Sequence, residues 1–174
     1  MSDILNAIGN TPIVKLKNIV PIGCGDIYVK LEAFNPTGSK KDRMALSMIL
    51  GAEKRGVLKK GMTVVEYSGG STGAGLAFVC SLKGYNFRLV TADVFGKEKI
   101  DLMRSLGANL EIIKSTDGKI NKELITKMIK KADQISKEPN TFFTNQLDNF
   151  DVIEGFIPCL LYTSDAADEG LGVD

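Results

Sequence analysis

Two lysines stand side by side in Asn35-Pro36-Thr37-Gly38-Ser39-Lys40-Lys41-Asp42-Arg43, where a helical pattern begins. A lysine amine attacks carbonyl carbon and forms an imine there. It can do so only after losing its proton, although the unperturbed value is about 10.4. Two effects favour that loss. The first turn of a helix is the positive end of its dipole, which disfavours an ammonium. Partial burial acts in the same direction. Adjacent helical residues point about 100° apart, so only one of the two lysines can face a given cleft. Taken alone, Lys-Lys reads better as solvated basic residues at a helix opening.

A second segment could bind an anion. Val64-Val65-Glu66-Tyr67 reads as a short buried strand. Ser68-Gly69-Gly70-Ser71-Thr72-Gly73 follows, then a helical run over 74–83. A strand that feeds a glycine-rich turn at a helix N-terminus offers outward N–H groups to negative charge. Small residues there allow close approach. Gly70, Gly73 and Gly75 only loosely echo the dinucleotide-binding spacing, and no G-x-x-x-x-G-K-[ST] sequence is present. By itself, such a turn is most often a tight connection.

The nine residues from Asn35 to Arg43 resemble the cofactor-lysine motif of the cysteine synthase family, Asn-Pro-x-Gly-Ser-x-Lys-Asp-Arg. The resemblance implies that Lys41 holds pyridoxal 5'-phosphate as a Schiff base, and that Asn35, Ser39, Asp42 and Arg43 shape its helix. The turn resembles the family's Thr-Ser-Gly-Asn-Thr-Gly, which receives the substrate α-carboxylate and contacts the cofactor ring oxygen through its Asn. Ser68 stands for the first Thr, Gly69 for Ser and Ser71 for Asn. The implied carboxylate site is Ser68, Gly70, Ser71 and Thr72, with Ser71 also toward the cofactor. Ile8-Gly9-Asn10-Thr11-Pro12 is similar to the family's N-terminal signature. The segment 143–149 is similar to its Gln-Phe-x-Asn region, which maps a further carboxylate contact onto Gln146. Dehydratases of the same fold carry Ser-x-Lys-x-Arg instead, so Lys41-Asp42-Arg43 favours the synthase branch.

The implied reaction is β-replacement on an O-activated serine with a sulfur nucleophile. The alternatives are β-elimination or deamination on the same fold, or an α/β binding module without turnover. The implied partners are a small amino-acid substrate and a second copy in a homodimer. The resemblance also implies a protein roughly twice this length, the usual size of a two-domain chain. The phosphate loop and the pyridine-nitrogen partner would lie in the other half, so this chain alone is expected to be inactive. Residues 159–174 resemble a translated sequencing adapter and are set apart from the fold.

Composition excludes several classes. The 174 residues are 44% apolar and 25% charged, which suits an ordinary globular domain. A net charge of +1 points to neither nucleic acid nor a membrane surface. No apolar run reaches the length of a membrane span. Ser2-Asp3 lacks the start of a signal peptide. Cys24, Cys80 and Cys159 are scattered and odd in number, which favours a reducing cytoplasm over a disulfide framework. Without a histidine, the chain can build no His-based triad or His-ligated metal site.

Period and turn residues predict strands over 11–17, 26–34, 63–67, 86–91, 109–113 and 141–144. They predict helices over 40–55, 72–83, 96–106 and 119–137. Such alternation implies an open parallel α/β sheet with helices on both faces. The resemblance assigns 1–12 and 35–148 to a small α/β domain, and 13–34 and 149–158 to part of a larger one.

Overall fold

A computed structural model of the chain describes residues 4–160; of the tail expected over 159–174, all but two residues lie outside the described part. The chain opens with two short strands, β1 (Ile13–Lys15) and β2 (Tyr28–Lys30), paired antiparallel with Val14 opposite Val29. Helix α1 (Lys41–Lys54) follows. Strand β3 (Thr63–Tyr67) leads into α2 (Ser71–Lys83), and β4 (Asn86–Ala92) into α3 (Lys97–Ser105). Strand β5 (Asn109–Ile113) leads into α4 (Lys122–Ser136), then β6 (Thr141–Phe143) and the short α5 (Asp151–Glu154).

Strands β3 to β6 form one sheet in the order β5-β4-β3-β6, with every pairing parallel. Alternate residues of a strand point to opposite faces, and each face has its own core. Val64, Phe87 and Leu89 pack with Met44, Met48 and Ile49 of α1 and Leu76 and Val79 of α2. Val65, Tyr67, Val90 and Ala92 pack with Leu124, Met128, Ala132 and Ile135 of α4. That spacing on α4 is one helical stripe, so it lies along the sheet with its lysines outward.

The strand order reverses at β3. From β3 the chain adds β4 and then β5 on one side, and α4 carries it back to β6 on the other. Open α/β sheets bind ligands in the crevice beyond the carboxyl ends of the strands at such a reversal. Here the crevice lies between the ends of β3 and β6.

Helices α1 and α2 meet closely at their starts. A Cβ added to Gly75 would lie 3.1 Å from the Lys41 carbonyl oxygen and 3.2 Å from the Ala45 Cβ. With a side chain at 75 the two backbones would have to give by a few tenths of an ångström. The contact sets the start of α1 beside the glycine-rich turn.

The predicted boundaries of β3 and β5 hold unchanged, and most helices hold to within a residue or two. Three differences have local causes. The strand expected over 26–34 ends at Lys30, and Glu32–Phe34 turn as a 3-10 helix. This turn brings the Glu32 carboxylate onto Arg43. The strand expected over 11–17 is only Ile13–Lys15, opposite its short partner. The helix expected from 119 starts at Lys122, because Asn121 caps it by accepting the Leu124 N–H at 2.9 Å. The helix α5 was not foreseen. It packs on α1, where Arg55 holds Asp151 through two hydrogen bonds of 2.6 and 2.7 Å.

The α1–α2 contact makes a prediction. Gly75→Val forces two methyl groups between the helix starts and should destabilise the fold by about 1–3 kcal/mol through overpacking. Urea unfolding of the chain should show a lower midpoint with an unchanged slope. An unchanged midpoint would show that the helices separate at no cost.

Candidate active site

Lys41 is the first residue of α1, half-buried, and its N–H donates to the Ser39 hydroxyl at 3.2 Å. Burial, and then the charge of the adjacent Lys40, push its ammonium below the ordinary lysine value. Lys40 itself is exposed. Asp42 turns inward instead. It is fully buried and accepts the Thr37 N–H at 2.7 Å and the Thr37 hydroxyl. The loop before Lys41 is thereby tied to the first turn of its helix.

The rest of the Asn35–Arg43 motif holds the loop from the other side. Arg43 donates to both Glu32 carboxylate oxygens at 2.8 and 2.9 Å, and to the Thr11 hydroxyl at 3.1 Å. Asn35 donates to Glu32 and accepts the Gly9 N–H at 2.8 Å. The N-terminal Gly9–Thr11 segment is therefore one network with the lysine motif. Hydrogen bonds from Arg43 above all, aided by Thr11 and Asn35, lower the Glu32 carboxyl from an ordinary 4.5 to about 2.

The glycine-rich turn is built around Ser68. Its buried hydroxyl oxygen accepts the N–H groups of Gly70 and Gly73, each at 3.1 Å. Those two donors are thus used inside the turn. The N–H groups of Ser71 and Thr72 open α2 with no acceptor among the described residues, and Ser71 is exposed. Gly69 stands where the family motif has Ser, and Phe95 explains it. A Cβ at 69 would lie 2.4 Å from the Phe95 ring.

Gln146 reaches this turn from the end of β6. Its side-chain amide donates to the Tyr67 carbonyl at 2.9 Å, one residue before Ser68. Its second amide hydrogen has no acceptor among the described residues. Ser68, Gly70, Ser71, Thr72 and Gln146 thus gather at the carboxyl end of β3, with the start of α1 beside them. Lys41 is joined to the turn through Gly75, and Gln146 through Tyr67. Sequence reasoning missed Glu66 as a site element and treated it only as part of a buried strand. Its burial inside an apolar strand was the available signal.

A cavity of about 900 Å³ lies elsewhere, between α1, α5 and the N-terminal segment. Among its polar walls, Arg43 pairs with Glu32 and Arg55 with Asp151 within the fold. Lys41 and the open N–H groups of Ser71 and Thr72 lie outside its lining.

A lysine of disfavoured charge, beside a glycine-rich turn at the reversal of a parallel sheet, defines a class of enzymes that hold a carbonyl cofactor. Residues 4–170 match the family described as pyridoxal-phosphate dependent enzyme, and the chain belongs to it. Among individual proteins, it is 42% identical over 149 residues to the cysteine synthase of Staphylococcus aureus, covering 86% of this chain and 46% of that protein. Its fold is similar to O-acetyl serine sulfhydrylase isoform 3 of Entamoeba histolytica, at a TM-score of 0.81 and 32% identity over 98% of this chain and 50% of that one. A hydrogen sulfide-producing enzyme of Fusobacterium nucleatum matches with a TM-score of 0.77 and 37% identity, over 87% of this chain and 47% of that one. The chain spans about half the length of the curated relatives it matches.

The residues present fit pyridoxal phosphate. Lys41 supplies the primary amine, and Ser71 and Thr72 supply open donors at a helix N-terminus. The hydroxyl of Thr91 is fully buried at the carboxyl end of β4 with no partner among the described residues. It follows Val90, whose carbonyl accepts the Ser68 N–H.

The Glu32 network should make the loop acid-labile. The folded carboxyl sits near 2 and its ordinary value is 4.5, so the folded state binds fewer protons than the unfolded state. Its stabilisation is complete above about 4.5 and is lost as pH falls through about 2. Urea midpoints measured across this window should fall more steeply for the native chain than for Glu32→Gln. Parallel profiles would show that Glu32 gains nothing from Arg43.

Proposed function

We propose that the protein carrying this chain catalyses β-replacement on an O-activated serine, such as O-acetylserine, with a sulfur nucleophile. One observation carries the reading: the charge-disfavoured Lys41 is packed beside the open end of α2, at the reversal point of the sheet. Lys41 is the residue assigned to hold the cofactor covalently. When bound, pyridoxal phosphate supplies an electron sink for charge left on the substrate α-carbon.

The substrate carboxylate is assigned to the turn. The N–H groups of Ser71 and Thr72 donate to it, and the positive end of α2 favours its charge. Ser68 and Gly70 hold the turn in shape for this contact, and Gln146 offers its second amide hydrogen from the facing loop. Ser71 also lies toward the cofactor ring in this reading. Lys41 would take the α-proton on Nζ, a role that its lowered ammonium value favours. The leaving group would depart from the β-carbon, the sulfur nucleophile would add there, and Lys41 would return the proton to the α-carbon. β-Elimination is the second reading, favoured by the likeness to a hydrogen sulfide-producing enzyme. Product analysis with and without added sulfide separates the two.

In this account residues 1–12 and 35–148 form the smaller domain, 13–34 and 149–158 belong to a larger one, and the complete protein is a cytoplasmic homodimer. The exposed side chains Val14, Tyr28 and Val29 on the strand pair are then surface for the larger domain to cover.

Borohydride reduction of the complete, cofactor-loaded protein, followed by peptide mass mapping, should find the cofactor on the Lys41 peptide. Lys41→Ala should lose that adduct and Lys40→Ala should keep it. The reverse pattern would overturn the assignment.

A further inference from the structure

Glu66 is a carboxylate with no exposure at all, on the central strand β3, two residues before Ser68. Removing a charged group from water is costly unless it is well hydrogen-bonded. Here one oxygen, Oε1, accepts the Tyr67 N–H at 2.9 Å. The other, Oε2, accepts the Thr144 hydroxyl at 2.7 Å and the Gln146 N–H at 2.9 Å. No lysine or arginine pairs with it among the described residues, and burial pushes its carboxyl upward. Two of its three donors thus come from the loop that follows β6.

That loop needs such an anchor. Asn145 sits at φ 47°, in the left-handed region that Asn tolerates better than most residues. This turns the chain back so that the Gln146 N–H points at β3. Thr144 is fixed as well, donating through its N–H to the Val65 carbonyl at 3.1 Å. The Gln146 side chain then reaches the Tyr67 carbonyl, which lies between Glu66 and the Ser68 turn.

We infer that Glu66 is a positioning residue for substrate binding: by holding Thr144 and Gln146 against the end of β3, it fixes the Gln146 amide opposite the open N–H groups of Ser71 and Thr72. The inference rests on the reading of Gln146 as a carboxylate contact. Glu66 touches neither substrate nor cofactor in this role. Its effect should therefore fall on substrate affinity and not on the chemical step.

Glu66→Gln keeps the shape but sets an amide N–H₂ against groups that are all donors, so one side of the network must open. In the 174-residue chain, hydrogen–deuterium exchange at the Gln146 backbone amide should become at least about tenfold faster, as expected for loss of a hydrogen bond to a charged acceptor. In the complete protein, KM for the amino-acid substrate should rise about tenfold while kcat stays within about twofold. Gln146→Ala should raise KM too, and the double variant should be no worse than the single ones, because both break one element. If Gln146→Ala raises KM and Glu66→Gln does not, Glu66 is merely structural and the inference is overturned. If Gln146→Ala leaves KM unchanged, the carboxylate reading of Gln146 is overturned, and this inference with it. Should the Glu66 variant fail to fold, Thr144→Val removes a single donor from the same network. A KM rise of about threefold with unchanged kcat supports the role, and an unchanged KM overturns it.

Discussion

The end of β3 is the constraint on which the rest of this site depends. A strand that stops inside a protein leaves backbone groups that must find partners. At β3 they find them in the residues that build the site. The Ser68 N–H continues the ladder to the Val90 carbonyl, and its hydroxyl gathers the Gly70 and Gly73 N–H groups. The Tyr67 carbonyl takes the Gln146 amide. What stays open after this accounting is the pair of N–H groups at Ser71 and Thr72. The same turn satisfies the strand end and leaves two donors open at the start of α2.

The lysine is positioned by a different kind of force. Its helix is fixed to α2 by steric closeness at Gly75, and its loop by two carboxylates that face opposite ways. Asp42 closes the loop from within, and Glu32 ties it through Arg43 to the N-terminal segment. None of this places a carboxylate on the amine. No ion pair involves Lys41 among the described residues, and burial and Lys40 both act against its charge. A partner anion at Nζ would instead stabilise the ammonium.

Much of this was legible in the sequence because the signals were local. The apolar stripe of α4 and the paired valines of β3 fix their elements by period alone. Lys41, Ser71 and Gln146 stood in short motifs that the fold brings to one edge. The reversal of strand order at β3 was not legible, since it depends on which strand β6 pairs with, 78 residues further along. The same applies to Glu66. A glutamate in an apolar strand shows that something must satisfy it, but not that Thr144 and Gln146 do. The turn at Glu32–Phe34 was hidden because its strand-like residues obey Arg43, a contact made eleven positions away. The departure at Gly69 found its reason only in Phe95.

This chain by itself holds Lys41 as an amine of disfavoured charge. The direct measurement is a pH titration of the lysine ε-methylene signals by heteronuclear NMR on the labelled chain, with Lys41 assigned by substitution. Lys41 should lose its proton at a lower pH than Lys40 and the other exposed lysines, as burial and the neighbouring charge require. A Lys41 midpoint equal to or above that of the exposed lysines would contradict the account.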